Sequence, residues 1–416
     1  MDGSNTTGVV IGGGHAPTFP EVKESISRNY FNLFARAPVC FERGEGTLLF
    51  DTDGKRYLDF LGGLAVNVLG YSNPAIVNAI KNQAEKLIHC ANLYYNAPQA
   101  RLAAKLTSIS CADRVFISNS GAEANEAAVK LARIYQYKAG KPEKYKIVTA
   151  ADSFHGRTLA MVAATGQPKY QKPYKPLTPG FLHVPLNDVA ALRSAVNPEE
   201  TCAIMLEPIQ GESGVNIADA EYIREAARIC KEIGALLIFD EVQTGLGRTG
   251  KLFAYEHYGV EPDIFTLAKA LGAGFPIGAT LAKEQVAAAF EPGDHGTTFG
   301  GNPLACAVGN AAVNTIIEDK LYEASAQKGE YFMRKLEGLR DKYSQIREVR
   351  GRGLMIAVQL NVPEAVEIKE AMFESGCLIG SIGADILRWL PPLTVEYEQI
   401  DEAAAILGDV LRKHFA

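Results

Sequence analysis

LLIFDEVQTGLGRTG, residues 236–250, is the stretch on which the reading of this chain turns. Its unbroken apolar run suits a strand buried on both faces, as in a parallel sheet with helices above and below. The run delivers Asp240 and a glycine-rich turn at its carboxyl end, where open α/β sheets bind their ligands. Outward from it, similar runs at 115–117, 147–149, 203–206, 264–267 and 277–282 alternate with helical patterns at 122–137 and 220–233, the second stopped by Gly234. This alternation predicts an α/β core with a mostly parallel sheet covered by helices. Residues before about 75 show turn signals at Asp53-Gly54 and Gly62-Gly63 between short strands instead. Beyond 325 a charged helix, strands at 354–360 and 386–390 and a last helix from about 399 are expected. The expected organisation is a large domain over 76–325, with 1–75 and 326–416 as the two parts of a smaller α+β domain.

The 416 residues are 47% hydrophobic, enough for a sizeable core, and their formal charge of −6 leaves no basic excess to track a phosphate backbone. No nucleic-acid partner is expected. The cysteines, at 40, 90, 111, 202, 230, 306 and 377, form no close pair and have no histidine at ligand spacing, so reduced thiols in the cytoplasm are expected and a metal site is not. The start, MDGSNTTG, lacks the charged and apolar regions of a secretory signal, and no apolar run approaches the roughly 18 residues that cross a bilayer. No membrane partner is expected. GVVIGGGH at 8–15 looks like a dinucleotide-binding turn, but Pro17 and Pro20 stand where its helix would run; it reads as a mobile N-terminal arm.

Several stretches carry possible chemistry. A carboxylate placed like Asp240 beside a heterocyclic nitrogen keeps that nitrogen protonated, by about 4 kcal/mol at ~4 Å and an effective dielectric of ~20, or roughly three pKa units. The plainer alternative is a cap on the following turn. Lys269, in DIFTLAKALGAGFPIGA, follows another apolar run and precedes small residues that leave room for a ligand; buried, its amine suits Schiff-base chemistry, and solvated it is an ordinary loop lysine. In SNSGAEANEAAVKLARIY, Ser120, Gly121 and Ala122 open a helix whose free N–H groups suit a phosphate, although Ser120 and Glu123 also have capping-box spacing. ADSFHGRT offers Phe154 to stack on a planar ring and Arg157 for a carboxylate, or else a packed loop and a surface ion pair. LEPIQGESGV supplies Glu207 and Glu212, two acids that a turn ordinarily leaves solvated. Arg388 sits in the apolar ILRWLPPLT and requires an acidic partner.

Taken in order, SGAEA, FHGRT, EPIQGE, DEVQTGLGRTG, Lys269 and GTTFGGNP resemble the class III (ornithine-type) aminotransferases of fold type I, which depend on pyridoxal 5'-phosphate, from about residue 30 onward. The resemblance implies a homodimer with active sites at the interface, in which Thr298 of one subunit meets the phosphate held by Ser120, Gly121 and Ala122 of the other. It further implies that Lys269 is the covalent attachment point and proton carrier, that Asp240 pairs with the pyridine nitrogen, and that Gln243 approaches the phenolic oxygen. Val242 and Phe154 would sandwich the ring. Arg388 would take the carboxylate of a 2-oxo acid and Glu212 would neutralise it when the other substrate binds, while Arg157 holds the distal carboxylate and Glu207 belongs to the substrate side.

Finer similarity, in YLDFLGGLAVNVLGYSNP, NLYYNAPQ and ILRWLPPLTV, is to the acetylornithine-type members, which implies transfer of the terminal amino group of N2-acetylornithine to 2-oxoglutarate. Ornithine-specific members carry a tyrosine at the position of Gly63 and a tryptophan at that of His155; a glycine leaves space for an acyl group. The alternatives are a 4-aminobutyrate, other omega-amino-acid or succinyl-diamino-acid transaminase, with a glutamate-semialdehyde aminomutase or a non-catalytic binding protein further off. Ser213, where a glycine is usual, and Tyr71-Ser72-Asn73, where a histidine-containing turn is common, are mild departures.

Overall fold

The computed structural model describes residues 18–415, so GVVIGGGH lies outside the described residues. Seven strands form the central sheet, in the spatial order Arg114–Ser118, Gly278–Ala282, Ile264–Leu267, Leu236–Asp240, Thr201–Leu206, Lys146–Ala150, Phe181–Val184. Six of these match the apolar runs of the sequence. The seventh, FLHV, was missed because half of it is exposed on the sheet edge and no apolar run marks it. Gly278–Ala282 runs antiparallel to both neighbours. The segment joining it to Ile264–Leu267 is too short for a crossover of a dozen or more residues, so the chain can only turn back.

Along the central strands, alternate side chains enter two different cores. Leu237, Phe239, Phe265 and Leu267 pack with Tyr222, Ile223 and Ala226 of the helix Ala220–Ile233. Leu236, Ile238 and Ile264 pack with Ala128, Leu131 and Ala132 of the helix Gly121–Lys138. Two covered faces explain why the strands read as continuous apolar runs, each buried aliphatic side chain contributing about 1.5–3 kcal/mol. The parity also sets direction: Asp240 shares the face of Ile238 and therefore looks toward the helix Gly121–Lys138. Gly234, at φ 64°, closes the helix Ala220–Ile233 as a left-handed cap.

Two smaller sheets flank this body. Phe41–Glu45, Leu48–Asp51 and Arg56–Asp59 form an antiparallel meander, and Arg56–Asp59 also pairs in parallel with Cys377–Leu378 from the far end of the chain. The other sheet has the order Ile346–Arg352, Met355–Leu360, Ile386–Trp389, Gly380–Ile382 and carries Arg388. The helix Leu321–Arg340 precedes it and Tyr397–His414 ends the chain. No helix among the described residues is long and apolar enough to cross a membrane.

Between these bodies the backbone of Gly62, Gly63, Leu64 and Ala65 is left-handed at four consecutive residues, φ 56°, 62°, 66° and 64°. Buried Asp59 holds its start by accepting from the N–H groups of Leu61 and Gly62 at 2.8 and 3.0 Å, and it takes the Tyr71 hydroxyl at 2.5 Å. Tyr71, one of the departures noted above, thus serves this turn, while Asn73 caps the helix Pro74–Ala84. The two glycines are not equivalent. A Cβ on Gly62 would lie 2.7 Å from the Leu390 carbonyl, and one on Gly63 would meet only the amide tip of Asn67 at 2.9 Å. Both Gly62→Ala and Gly63→Ala should cost about 1–2 kcal/mol for the left-handed backbone. The backbone collision adds to this for Gly62→Ala alone, so urea titration is expected to rank it clearly below Gly63→Ala; equal midpoints would contradict this reading.

Candidate active site

Asp240 ends its strand with the carboxylate fully engaged. Oδ1 accepts from the Val242 N–H at 3.0 Å, and Oδ2 accepts from Asn125 Nδ2 at 2.7 Å and His155 Nδ1 at 2.8 Å. Asn125 reaches it from the helix Gly121–Lys138, also donating to the His155 carbonyl at 2.8 Å and accepting from Thr266 Oγ1 at 2.7 Å. The carboxylate fixes the imidazole tautomer, since only a protonated Nδ1 can donate to it. Burial opposes a charge on His155, but the bond to Asp240 and its negative charge outweigh this and raise the imidazole pKa above its usual value. His155 Nε2 is buried with no hydrogen-bond partner among the described residues.

Asp240 lies in a cavity of about 410 Å³ lined also by Ser120, Gly121, Ala122, Phe154, Arg157, Glu207, Glu212, Val242, Gln243 and Lys269. Lys269 follows the strand Ile264–Leu267 with φ 36°, a left-handed conformation that an L side chain adopts at a cost of order 1–3 kcal/mol and that clusters at functional sites. Its ammonium makes no hydrogen bond or ion pair with a described residue. Burial and, among its charged neighbours, Arg388 push the amine below the ordinary lysine pKa against the pull of Glu212, Asp240 and Glu207.

Ser120 caps the helix, accepting from the Glu123 N–H at 3.2 Å, while Glu123 turns back to the Asn119 N–H at 2.6 Å. Capping and anion binding are compatible, because the N–H groups of Gly121 and Ala122 have no intrahelical acceptor and both residues line the cavity. Gly121 allows the approach of Val242, whose Cγ1 would lie 2.8 Å from a Cβ there. Glu207 points both carboxyl oxygens at backbone, accepting from Phe154 at 2.8 Å and Gly211 at 3.4 Å. Arg157 lies exposed at the mouth with its guanidinium 3.9 Å from the Tyr170 ring centroid. Arg388 donates from Nη1 to Glu212 Oε1 and to the Gly211 carbonyl, both at 2.7 Å. Burial works against an ionised Glu212, but Arg388 more than offsets it, so the carboxyl sits below its usual range.

This arrangement, an acid and an amine at two neighbouring strand ends with a helix N-terminus between them, meets its counterpart in known proteins. The family model for class-III aminotransferases matches residues 32–411. The chain belongs to the class-III aminotransferases. An acetylornithine aminotransferase of Caldanaerobacter subterraneus subsp. tengcongensis is 53% identical over 91% of this chain and 96% of its own, and one of Methanocaldococcus jannaschii is 51% identical over 92% and 95%. Among solved structures, the ornithine aminotransferase of Toxoplasma gondii superposes with a TM-score of 0.92 at 32% identity, covering 96% of each chain. The acetylornithine aminotransferase of Elizabethkingia anophelis gives 0.86 at 36% identity, covering 96% of this chain and all of its own. The fold is therefore fold type I, and the enzyme is a pyridoxal-phosphate-dependent aminotransferase.

The residues present fit that cofactor. The cavity is lined at one end by Gly121 and Ala122, which open a helix and whose N–H groups have no intrahelical acceptor, and within by a carboxylate, a lysine amine and Gln243, whose buried Oε1 has no partner among the described residues. Among the described residues no group of histidines, cysteines and acids is arranged to hold a metal. Of the residues named from the sequence, Arg388 backs the cavity wall through Glu212, and Thr298 lies exposed on a loop outside it. Asn125 was missed as a site residue, because a buried amide on a helix that also buries Gln136 breaks no sequence pattern. His155 had been noted only as a departure.

Among the described residues no cation is bonded to Glu207, and burial first, with the Asp240 charge adding, pushes its carboxyl up to about 8 despite His155 and the two backbone donors. Folding therefore takes up a proton between about pH 4.5 and 8, and the associated stability, full below the unfolded pKa, is lost as pH rises through the folded one. Melting of the cofactor-free protein should fall across this window, and Glu207→Gln, which is neutral throughout, should flatten the fall. Parallel slopes for the two proteins would remove Glu207 as the cause.

Proposed function

We propose that this aminotransferase moves the terminal amino group of N2-acetylornithine to 2-oxoglutarate, giving N-acetylglutamate 5-semialdehyde and glutamate. The observation that carries this is the closed pair of Arg388 and Glu212 at the cavity wall, beside sequence identity of about half to acetylornithine aminotransferases. A terminal amine arrives with no carboxylate beside it, so a bare arginine there would repel its ammonium; a 2-oxo acid brings a carboxylate that needs that arginine. A side chain that covers the arginine and then gives way meets both demands. Gly63 is exposed and carries no side chain, which supports the reading that an acyl group is accommodated there.

Bound pyridoxal phosphate supplies a carbonyl to accept the amino group and a ring to spread the electron pair left when the donor's C–H bond breaks. Lys269 Nζ is proposed as the attachment point and as the base that takes the proton from the donor's amine-bearing carbon, a role favoured by its lowered pKa. Asp240, its charge kept in place by Asn125 and His155, holds a proton on the ring nitrogen. Phe154, Val242 and Gln243 line the same cavity, where the first two would hold the ring between them and Gln243 would meet its phenolic oxygen. Ser120, Gly121 and Ala122 take the phosphate, with Thr298 arriving from a second copy of the chain in a homodimer. The exposure of Thr298 and of Leu93, Tyr94, Tyr95 and Phe299 supports such a partner. Arg157 and Glu207 are assigned to the substrate side, Arg157 for the distal carboxylate and Glu207 through the loop it holds. The cytoplasm is the proposed location, supported by seven free cysteines.

Lys269→Ala should retain cofactor binding but no steady-state turnover, and the wild-type yellow absorbance should bleach with acetylornithine well before it does with 4-aminobutyrate or ornithine. Retained turnover in the variant would refute the role of Lys269. Bleaching by 4-aminobutyrate but not acetylornithine would move the donor assignment while leaving the chemistry in place.

A further inference from the structure

The loop that presents Glu212 to Arg388 is held by a second arginine. Arg350 donates from both Nε and Nη2 to one acceptor, the Gly214 carbonyl, at 2.9 and 2.7 Å. Its remaining contacts, to Glu348 at 3.0 Å and Gln359 at 3.1 Å, keep the guanidinium in place from its own sheet. The register explains why both arginines reach the same loop. Arg350 stands opposite Ala357, and Ala357 opposite Arg388, across three antiparallel strands. Residues directly opposite one another project from the same face, so the two arginines flank a buried alanine and share one side of the sheet.

The loop is shaped to accept this grip. Gly214 has φ 130°, and a Cβ on it would come within 2.8 Å of Ile386 Cδ1 and 3.1 Å of Arg350 Nη2, so only a glycine lets the carbonyl approach. Val215, the next residue, is left-handed at φ 57°. Gln210 anchors the other end, donating to the Ala151 carbonyl at 2.7 Å, and accepts from Ser213 at 3.2 Å. Between the fixed points at Gly211 and Gly214 only the Glu212 side chain extends to the cavity.

We propose that Arg350 is a positioning residue for substrate exchange: by gripping the Gly214 carbonyl it holds the backbone under Glu212, so that only a side chain has to move when a 2-oxo acid takes the place of the terminal-amine donor. The inference rests on the dual-substrate reading above. Without the grip the loop drifts, Glu212 covers Arg388 less well, and the resting site presents a more naked cation. A terminal ammonium is then repelled, whereas a molecule with a carboxylate beside the reacting carbon is not.

The test compares single-turnover half-reactions of holoenzyme with acetylornithine and with glutamate, which uses Arg388 as 2-oxoglutarate does, in wild type, Arg350→Met and Arg350→Lys. In Arg350→Met the ratio of kcat/KM for acetylornithine over glutamate is expected to fall about tenfold, ~1.4 kcal/mol, the scale of a charge-assisted hydrogen bond. Arg350→Lys keeps the charge and the stem but not the two-pronged grip, so it should move the same ratio in the same direction by less. It also keeps the test alive if the methionine variant does not fold. Calorimetry with glutarate, a dicarboxylate with no carbonyl to react, should give tighter binding in the variants. Half-reactions that fall in step, or a ratio that stays put, overturn the proposal. If wild type prefers another terminal amine, the donor assignment fails and the same ratio with that amine still decides Arg350; if it accepts none, the dual-substrate reading falls and this proposal with it.

Discussion

A carboxylate at the end of a buried strand has to be satisfied by whatever surrounds it, and the site is organised by how Asp240 is satisfied. Its acceptors take one backbone N–H, one amide and one imidazole, drawn from the following turn, the helix Gly121–Lys138 and the loop after Lys146–Ala150. Each donor fixes a different element. The Asn125 bond, made on the same helix that opens at Gly121, sets the distance from the helix N-terminus to the acid. The His155 bond sets the loop that carries Phe154 and Arg157. Charge-assisted bonds of this kind are worth about 1.5–3 kcal/mol each, and losing one partner leaves a buried charge short of a donor.

The other half of the cavity is arranged about a cation. Arg388 comes from a strand of a different sheet, and it closes the site because the Gly211–Gly214 loop leans across to meet it. The central sheet thus fixes the acid and the amine, while the flanking sheet contributes Arg388, the group proposed to discriminate between substrates. Lys269 lies between these fields, with Asp240, Glu207 and Glu212 drawing its proton in and burial and Arg388 driving it out.

The central strands were legible because both their faces are covered, so that apolarity is continuous and needs no register to be recognised. Phe181–Val184 was not, since an edge strand with exposed Leu182 and His183 has no such run. The direction of Gly278–Ala282 was likewise hidden in composition and lies only in the length of the connection before it. At the site, glycines and charged residues at strand ends stood out, as they interrupt a pattern. Asn125 and Arg350 did not, because an amide in a helix and an arginine in a half-exposed strand break none. Their significance comes from partners far away in sequence, at Asp240 and Gly214.

The pairing of Arg56–Asp59 with Cys377–Leu378 joins segments separated by roughly three hundred residues, a long-range contact of the kind that forms late. During synthesis the first meander emerges with one side of Arg56–Asp59 lacking its neighbour, and that edge stays open until Cys377–Leu378 has been made. The central sheet, by contrast, draws every strand from 114–282, so all of them are made before Cys377–Leu378 and Ile386–Trp389. Asp240 and Lys269, with every strand of the sheet that carries them, are therefore synthesised before Arg388, so translation delivers the proposed chemical centre first and the proposed substrate discriminator later.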